Sequence, residues 1–386
     1  MSDPAGRWRQ LALLATVVLF GMAVWLAASA VKPALAASLS LTTAQTGWLT
    51  SGVQLGFVTG TLLAAILNLA DIIPARRYVA VSATIAGVAN AALLVAPDFA
   101  TALATRFVTG AALAGVYPPA MKMAATWFRS GRGVAIGTVV GALTAGKALP
   151  YLIEGVGTLP LDAAVLVPSV LALSSAVLVA VGYREGPFAF PARPFSWGLI
   201  GTVLREPMVR RATGGYLGHM WELYAFWTWI PGFLAASQLA RGVEVRSGLW
   251  AFAIVAIGAV GAVWGGRAAD RIGRGKVVRR AMLVSGACCA LSPLLFVAPW
   301  WLLVLVSLVW GVAVIADSAQ FSALVTEHAP SHAVGTALTL QTSVGFLLTI
   351  VTIQGVPMVA EAVGWQWALA ALALGPAAGI WAVRRA

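Results

Sequence analysis

WGGRAADRIGRGKVVRR, residues 264–280, places six basic side chains (Arg267, Arg271, Arg274, Lys276, Arg279 and Arg280) and one acid, Asp270, between two apolar stretches. Each of those stretches runs for about 20 residues, the length a membrane-crossing helix requires. Charge confined to so short a piece is the pattern of a loop between two spans, not of a soluble domain. Composition agrees: the 386-residue chain is 60% hydrophobic and 10% charged, against about 25% charged in soluble domains. The net charge of +12 raises the question of nucleic acid. The basic residues lie in short clusters between apolar runs, however, so no nucleic-acid partner is expected. Cys288 and Cys289 are adjacent within an apolar run and read as packing residues. The first apolar run ends in AASAVKP and is followed by more membrane-like sequence. It reads as a retained first span, not a cleaved signal.

Outward from the opening stretch, the hydropathy pattern predicts an all-α membrane protein with twelve spans. They fall at 11–31, 46–70, 78–96, 99–121, 133–155, 162–182, 209–232, 247–266, 277–297, 300–323, 333–355 and 362–383. The proline-bearing, mixed-charge segment 183–208 divides them into two six-helix bundles, residues 1–182 and 209–386, with a short helix expected near 195–205. The segment 233–246 is expected to be the other longer connection. With the N-terminus inside, twenty Lys and Arg fall on the cytoplasmic side and three (Lys32, Arg241, Arg246) outside. Short-loop basic residues favour the cytoplasm, so both termini are expected there, in a bacterial inner membrane.

The opening stretch then joins spans 8 and 9, and LNLADIIPARRYVAVS, residues 67–82, is its counterpart between spans 2 and 3. Asp71 and Asp270 are the two exit acids. Gly265 and Gly266 allow close helix approach, Gly273 and Gly275 a tight reversal, and Asp270 either caps a neighbouring helix or pairs with Arg271 or Arg274. A latch of this kind and a plain charged loop both fit the spacing.

Gly266, Asp270, Arg271, Gly273, Arg274 and Lys276 resemble the loop signature of the major facilitator superfamily, Gly, then Asp-Arg, then Gly-Arg-(Arg/Lys). In the first copy only Asp71 and Arg76–Arg77 remain. RFVTGAALAG at 106–115 is similar to the family's helix 4 pattern, LTTAQTGWLTSGVQLGFVTG at 41–60 to the start of its helix 2, and GWQWAL at 364–369 to the opening of its helix 12. The resemblance implies two six-helix bundles around a central cavity and transport by alternating access. It also links Arg106 to proton coupling or gating, with a structural role as the alternative.

Ionisable groups inside spans are costly and mark functional sites. Lys147 lies deep in span 5, where it either contacts an anionic substrate or pairs with an acid such as Glu154 or Asp317. Tyr216, His219 and Glu222 are spaced three apart on span 7, with Tyr224, Phe226, Trp227 and Trp229 beyond them. A proton-carrying His219–Glu222 unit and a fixed structural pair both fit that spacing, and the aromatic excess fits either a substrate body or a lipid face. Asp317 in span 10 is a third acid for proton coupling. Gln54, Gln341, Tyr216, Trp227 and Lys32 complete the substrate candidates. Arg106, seven residues into span 4, is shallow enough to reach the membrane surface.

Neither a phosphate-binding loop, nor a metal-ligand spacing, nor a catalytic set is apparent, so no cofactor and no enzyme activity are expected. The expected function is secondary transport of a small organic anion or zwitterion, coupled to protons, by a monomer in the lipid bilayer. A drug or metabolite efflux pump, and a membrane sensor or scaffold with a transporter fold, are the alternatives.

Overall fold

The computed structural model describes residues 4–129, 131–156, 160–188, 195–243 and 247–384; the side chains of residues 70, 71 and 132 lie outside that description, and with them the carboxylate of Asp71. Every regular element among the described residues is helical. The first half of the chain forms α1 (Arg7–Met22), α2 (Ala27–Ala30), α3 (Lys32–Leu39), α4 (Thr43–Ile66), α5 (Leu69–Ile72), α6 (Ala75–Ala91), α7 (Phe99–Leu113), α8 (Tyr117–Ala125), α9 (Arg132–Val156) and α10 (Leu161–Gly182). The second half follows the short α11 (Ile200–Arg205). It forms α12 (Pro207–Arg241), α13 (Ser247–Ala256), α14 (Gly258–Ile272), α15 (Arg274–Val297), α16 (Trp300–Ala316), α17 (Ser318–His328), α18 (Val334–Val363), α19 (Trp365–Ala368) and α20 (Leu374–Val383).

Local signals account for several boundaries. Thr42 opens α4 with a capping box: its hydroxyl accepts from the Gln45 amide while the Gln45 side chain accepts from the Thr42 amide. Asp98 opens α7 by accepting from the Thr101 amide. Ten stretches, from Thr43–Ile66 to Trp365–Val383, are long and apolar enough to cross a membrane.

The two other expected spans are helical but different in kind. The span expected at 11–31 is broken: α1 ends at Met22, residues 23–26 form turns, and α2 and α3 follow. The span expected at 209–232 lies inside the 35-residue α12, whose His219, Glu222, tyrosines and tryptophans lower its mean hydropathy.

Three boundary expectations are corrected. The connection expected at 233–246 is mostly helix, because α12 runs on to Arg241 and stops at Gly242, which takes a left-handed φ of 64°. Asp270 and Arg271 are not in a loop but in α14, which continues past Gly266, the expected end of the span, to Ile272. The reversal there is made by Gly273 alone, at φ 88°; Gly275 is already helical in α15.

Within the first half, α4 packs on α7, α6 on α10, and α1 on α9 and α10; within the second, α12 packs on α18 and α20, and α16 on α14 and α15. The most extensive contacts between the halves among the described residues are those of α9 along α13 and α14, and of α4 along α18. The two four-residue glycine repeats therefore do different things. Gly52, Gly56 and Gly60 of α4 face α7, inside one half. Gly133, Gly137 and Gly141 of α9 face α14 across the halves, where a methyl group on Gly137 or Gly141 would lie 3.0 Å from the carbonyl of Ala262 or Ala259.

Candidate functional site

Lys147 is 0% exposed. Its ammonium donates to the Tyr224 hydroxyl and lies 3.6 Å from the Trp25 ring centroid, with Tyr224 at 4.4 Å and Trp227 at 5.4 Å. Tyr224 and Trp227 are three apart on α12 and share a face; Trp25 comes from the break after α1. Phe57 of α4 and Phe346 of α18 close the cluster, with Phe57 at 5.0 Å and Phe346 at 5.8 Å from Trp25, and Phe346 at 5.1 Å from Tyr224. Desolvated cation–π contacts are worth about 2 kcal/mol, so the rings hold the ammonium without neutralising it. The pairing of Lys147 with Asp317 is not formed. Nor are the aromatic residues of α12 turned to lipid: Tyr224, Phe226, Trp227 and Trp229 are all buried.

Donors around Lys147 lack acceptors. The indole N–H groups of Trp25 and Trp227 are buried without a hydrogen-bond partner among the described residues. The amides of Gln54 and Gln341 are equally buried and unpartnered at both oxygen and nitrogen. Gln54 lies one turn before Phe57 on α4, and Gln341 one turn before Gly345 on α18, against which the Tyr216 ring packs. Buried polar atoms usually have partners, and the two indole N–H groups whose rings flank Lys147 depart from that rule.

Arg106 does not reach the surface of the protein; it is 0% exposed. Its guanidinium donates to the Asn90 amide oxygen at 2.6 Å, to the Val24 carbonyl at 3.0 Å and to the Trp25 carbonyl at 2.5 Å. It therefore supplies the partners that the end of α1 loses when the helix breaks, and it sets the backbone from which the Trp25 ring projects.

The expected His219–Glu222 unit is also corrected. His219 Nδ1 lies 2.9 Å from Asp317 Oδ1, at the junction of α16 and α17. Glu222 turns elsewhere, accepting from Ser285 Oγ at 2.9 Å, Cys289 Sγ at 3.3 Å and Trp310 Nε1 at 2.5 Å. A spacing of three falls about 60° short of a full turn at 3.6 residues per turn. Tyr216 and His219 nevertheless stay together, 6.1 Å apart and both beside Phe321, and only Glu222, two steps from Tyr216, reaches a different surrounding. The Tyr216 ring packs on Phe321 at 6.0 Å and against Gly345, the residue before Phe346.

Lys32 opens α3 and reaches back to the first-half/second-half boundary, with its ammonium 3.4 Å from the Trp229 centroid and 3.4 Å from the Thr228 carbonyl. At the Gly273 end of α14, Asp270 Oδ2 would lie 2.9 Å from a methyl group on Gly133, the second residue of α9. A carboxylate there faces the unpaired N–H groups and partial positive charge of a helix start. A methyl group on Gly266 would be 2.9 Å from the Gly133 carbonyl, so both residues of the opening stretch meet the same turn of α9. Arg274 does not serve Asp270: it donates to Glu327 Oε1 at 2.8 Å and Gln320 Oε1 at 2.9 Å on α17. Arg271 is exposed beside it.

Sequence reasoning missed Trp25, Phe57, Phe346 and Asn90. Asn90, a polar residue within an apolar span, carried a usable signal; the aromatic residues did not, since rings are ordinary in spans. Likewise Ser285, Cys289 and Trp310 gave no sign that they converge on one carboxylate.

A multi-pass helical membrane protein with ionisable side chains buried at the contact of its two halves has the make-up of a membrane transporter. Residues 13–353, most of the chain, match the Major Facilitator Superfamily, and the chain belongs to that family. Among solved structures it resembles a bacterial homologue of the human lysosomal transporter Spinster in two inward-facing conformations. The unoccupied form has 14% identity and a TM-score of 0.74, and the occupied form 16% and 0.71; each alignment covers 99% of this chain and 98% of the other. The human organic anion transporter MFSD10 (TETRAN) aligns at 15% identity and a TM-score of 0.69, over 99% of this chain and all of that one. Likenesses at these identities speak for the fold. No curated protein matches the sequence.

Proposed function

We propose that the chain is a proton-coupled secondary transporter of a small organic anion or zwitterion. In this reading it has twelve spans, with the α1–α3 region as the first and α12 as the seventh. Residues 1–182 and 209–386 form two six-helix bundles joined by 183–208, both termini lie on the cytoplasmic side of a bacterial inner membrane, and the unit is a monomer. The observation that carries the substrate class is the surplus of donors around Lys147: a buried ammonium held by rings, with the Trp25 and Trp227 indole N–H groups unpartnered beside it. An anion supplies both the charge and the acceptors that the site lacks. Gln54 and Gln341 offer further hydrogen bonds, Tyr216 lines the approach, and Lys32 on Trp229 draws anions toward the site.

The proton is carried by the His219–Asp317 pair, which sits where α16 gives way to α17 and can change its water access when the halves move. Glu222 is the second acid. Arg106 sets the geometry of the α1 break. Asp270 on the α9 N-terminus, with Gly266, Arg271 and Arg274, closes the cytoplasmic side; Asp71 is the weaker counterpart.

The test is calorimetric binding of small carboxylates, zwitterions and organic cations to purified full-length protein and to Lys147→Ala. Losing a desolvated charged contact commonly costs about 2–5 kcal/mol, and Lys147→Arg restores the charge without the shape. Carboxylate binding that survives Lys147→Ala unchanged removes the anion reading. The aromatic cluster then favours the efflux of a neutral or cationic organic compound.

A further inference from the structure

We propose that the corner where α14 meets α15 binds an anionic phospholipid, with the phosphate on Arg267 and Arg271 and the acyl chains on the apolar helix faces beneath.

The stretches Ser247–Ile272 and Arg274–Val297 are both long and apolar enough to cross a membrane, so the reversal between them at Gly273 lies at a membrane face. Along α14, Val260, Trp264, Arg267 and Arg271 are all exposed. Their spacing of four, three and four keeps them within an arc of about 60° on one side of the helix. That stripe is apolar at depth, aromatic where headgroups begin and doubly basic at its end. α15 repeats the order from its own start. Lys276 and Arg280 come first, then Leu283, Ala287, Leu291 and Leu294, all exposed and spaced to share one side. The two helices pack on each other. Two lipid-facing stripes thus bring four basic side chains to a single turn of the chain.

The acids of this corner are engaged elsewhere. Glu327 accepts from Arg274, and Asp270 lies against Gly133 of α9. The ion pairs among the described residues, His219–Asp317 and Arg274–Glu327, include none of the four basic residues. Positive charge at a cytoplasmic turn needs no ligand of its own; alignment is what sets this turn apart. Arg267 and Arg271 stand one helical turn apart above one stripe, so two planar forks can close on one phosphate. The counterpart turn of the first half carries Arg76 and Arg77, both exposed at the start of α6. Adjacent residues point about 100° apart on a helix, so those two arginines head no common stripe. A zwitterionic headgroup would bring its own ammonium against four cations, and a free phosphate would leave the apolar stripes unused. An anionic phospholipid matches both the charge and the surface below it.

The experiment is native mass spectrometry of the full-length protein in detergent, titrated with dioleoylphosphatidylglycerol or dioleoylphosphatidylcholine, with inorganic phosphate as competitor. Phosphatidylglycerol should be retained in preference to phosphatidylcholine, and phosphate at equal concentration should not displace it. The double variant Arg267→Gln/Arg271→Gln should bind phosphatidylglycerol roughly 30-fold more weakly, the equivalent of about 1 kcal/mol for each residue. Arg267→Lys/Arg271→Lys, which keeps the charge and loses the forks, should fall between that variant and wild type. Arg76→Gln/Arg77→Gln removes the same charge from the other turn and should bind as wild type does. Equal losses in the two glutamine variants would reduce the effect to general surface charge and overturn the site. Equal retention of the two lipids removes headgroup selection, and displacement by phosphate makes the corner an anion site without a lipid. Wild-type binding by Arg267→Gln/Arg271→Gln takes the two arginines out of it altogether.

Discussion

The Arg106 guanidinium donates to the main-chain carbonyl of Trp25 at 2.5 Å, across a sequence separation of 81 residues. A charged side chain from α7 thus holds open the break after α1 and fixes the ring that lies over Lys147. This buried polar contact of the first half is a support for the central cluster.

Arg106→Gln should therefore cost stability as well as transport. It strands the Asn90 amide and two buried carbonyls, each unsatisfied group costing about 1–3 kcal/mol. The melting temperature of the purified protein should fall by several degrees, and Arg106→Lys should recover part of the loss. A variant that melts like wild type but fails only at gradient-driven uptake would instead assign Arg106 to coupling.

Asp317→Asn should uncouple transport from the proton gradient. The amide keeps the size of the acid beside His219 but cannot take up a proton. In proteoliposomes, accumulation driven by an imposed pH gradient should be lost while substrate exchange persists. Glu222→Gln, whose new amide N–H groups face the Ser285, Cys289 and Trp310 donors, should lower stability first. Full accumulation by Asp317→Asn moves the coupling role to Glu222.

Asp270→Asn should loosen the contact between α14 and the start of α9. A carboxylate at a helix N-terminus contributes about 0.3–1 kcal/mol, enough to shift a conformational equilibrium up to several-fold. A cysteine placed at Ala262, on α14 where it meets Gly137 of α9, should then react faster with a membrane-impermeant thiol reagent applied from the cytoplasmic side. Unchanged labelling at wild-type expression rejects the latch.

Gly137→Leu should jam the contact between the halves, because even a methyl group there comes within 3.0 Å of the Ala262 carbonyl. Transport should fall sharply. Gly56→Leu, on the α4 face that packs against α7 within one half, should chiefly reduce folded yield, measured by size-exclusion chromatography after extraction. Equal transport by Gly137→Leu and wild type would show that α9 and α14 part without needing close approach.

The sequence by itself determined the membrane class, ten of the spans and the family. Each depends on composition over about 20 residues or on a short loop pattern, and such signals are local. It also singled out Lys147, His219, Glu222 and Asp317, since an ionisable residue in an apolar run stands out without any knowledge of its neighbours. Tertiary structure alone decided their partners. The three-residue step that keeps Tyr216 beside His219 did not pair His219 with Glu222, because other helices supply the partners: Asp317 at the α16–α17 junction faces the histidine, and Ser285, Cys289 and Trp310 take the glutamate. The break at Ala23–Leu26 contains neither proline nor glycine, so nothing local announces it. Its carbonyls are satisfied by Arg106 from another helix, and only the folded chain brings that arginine, the Trp25 ring and Lys147 to one place.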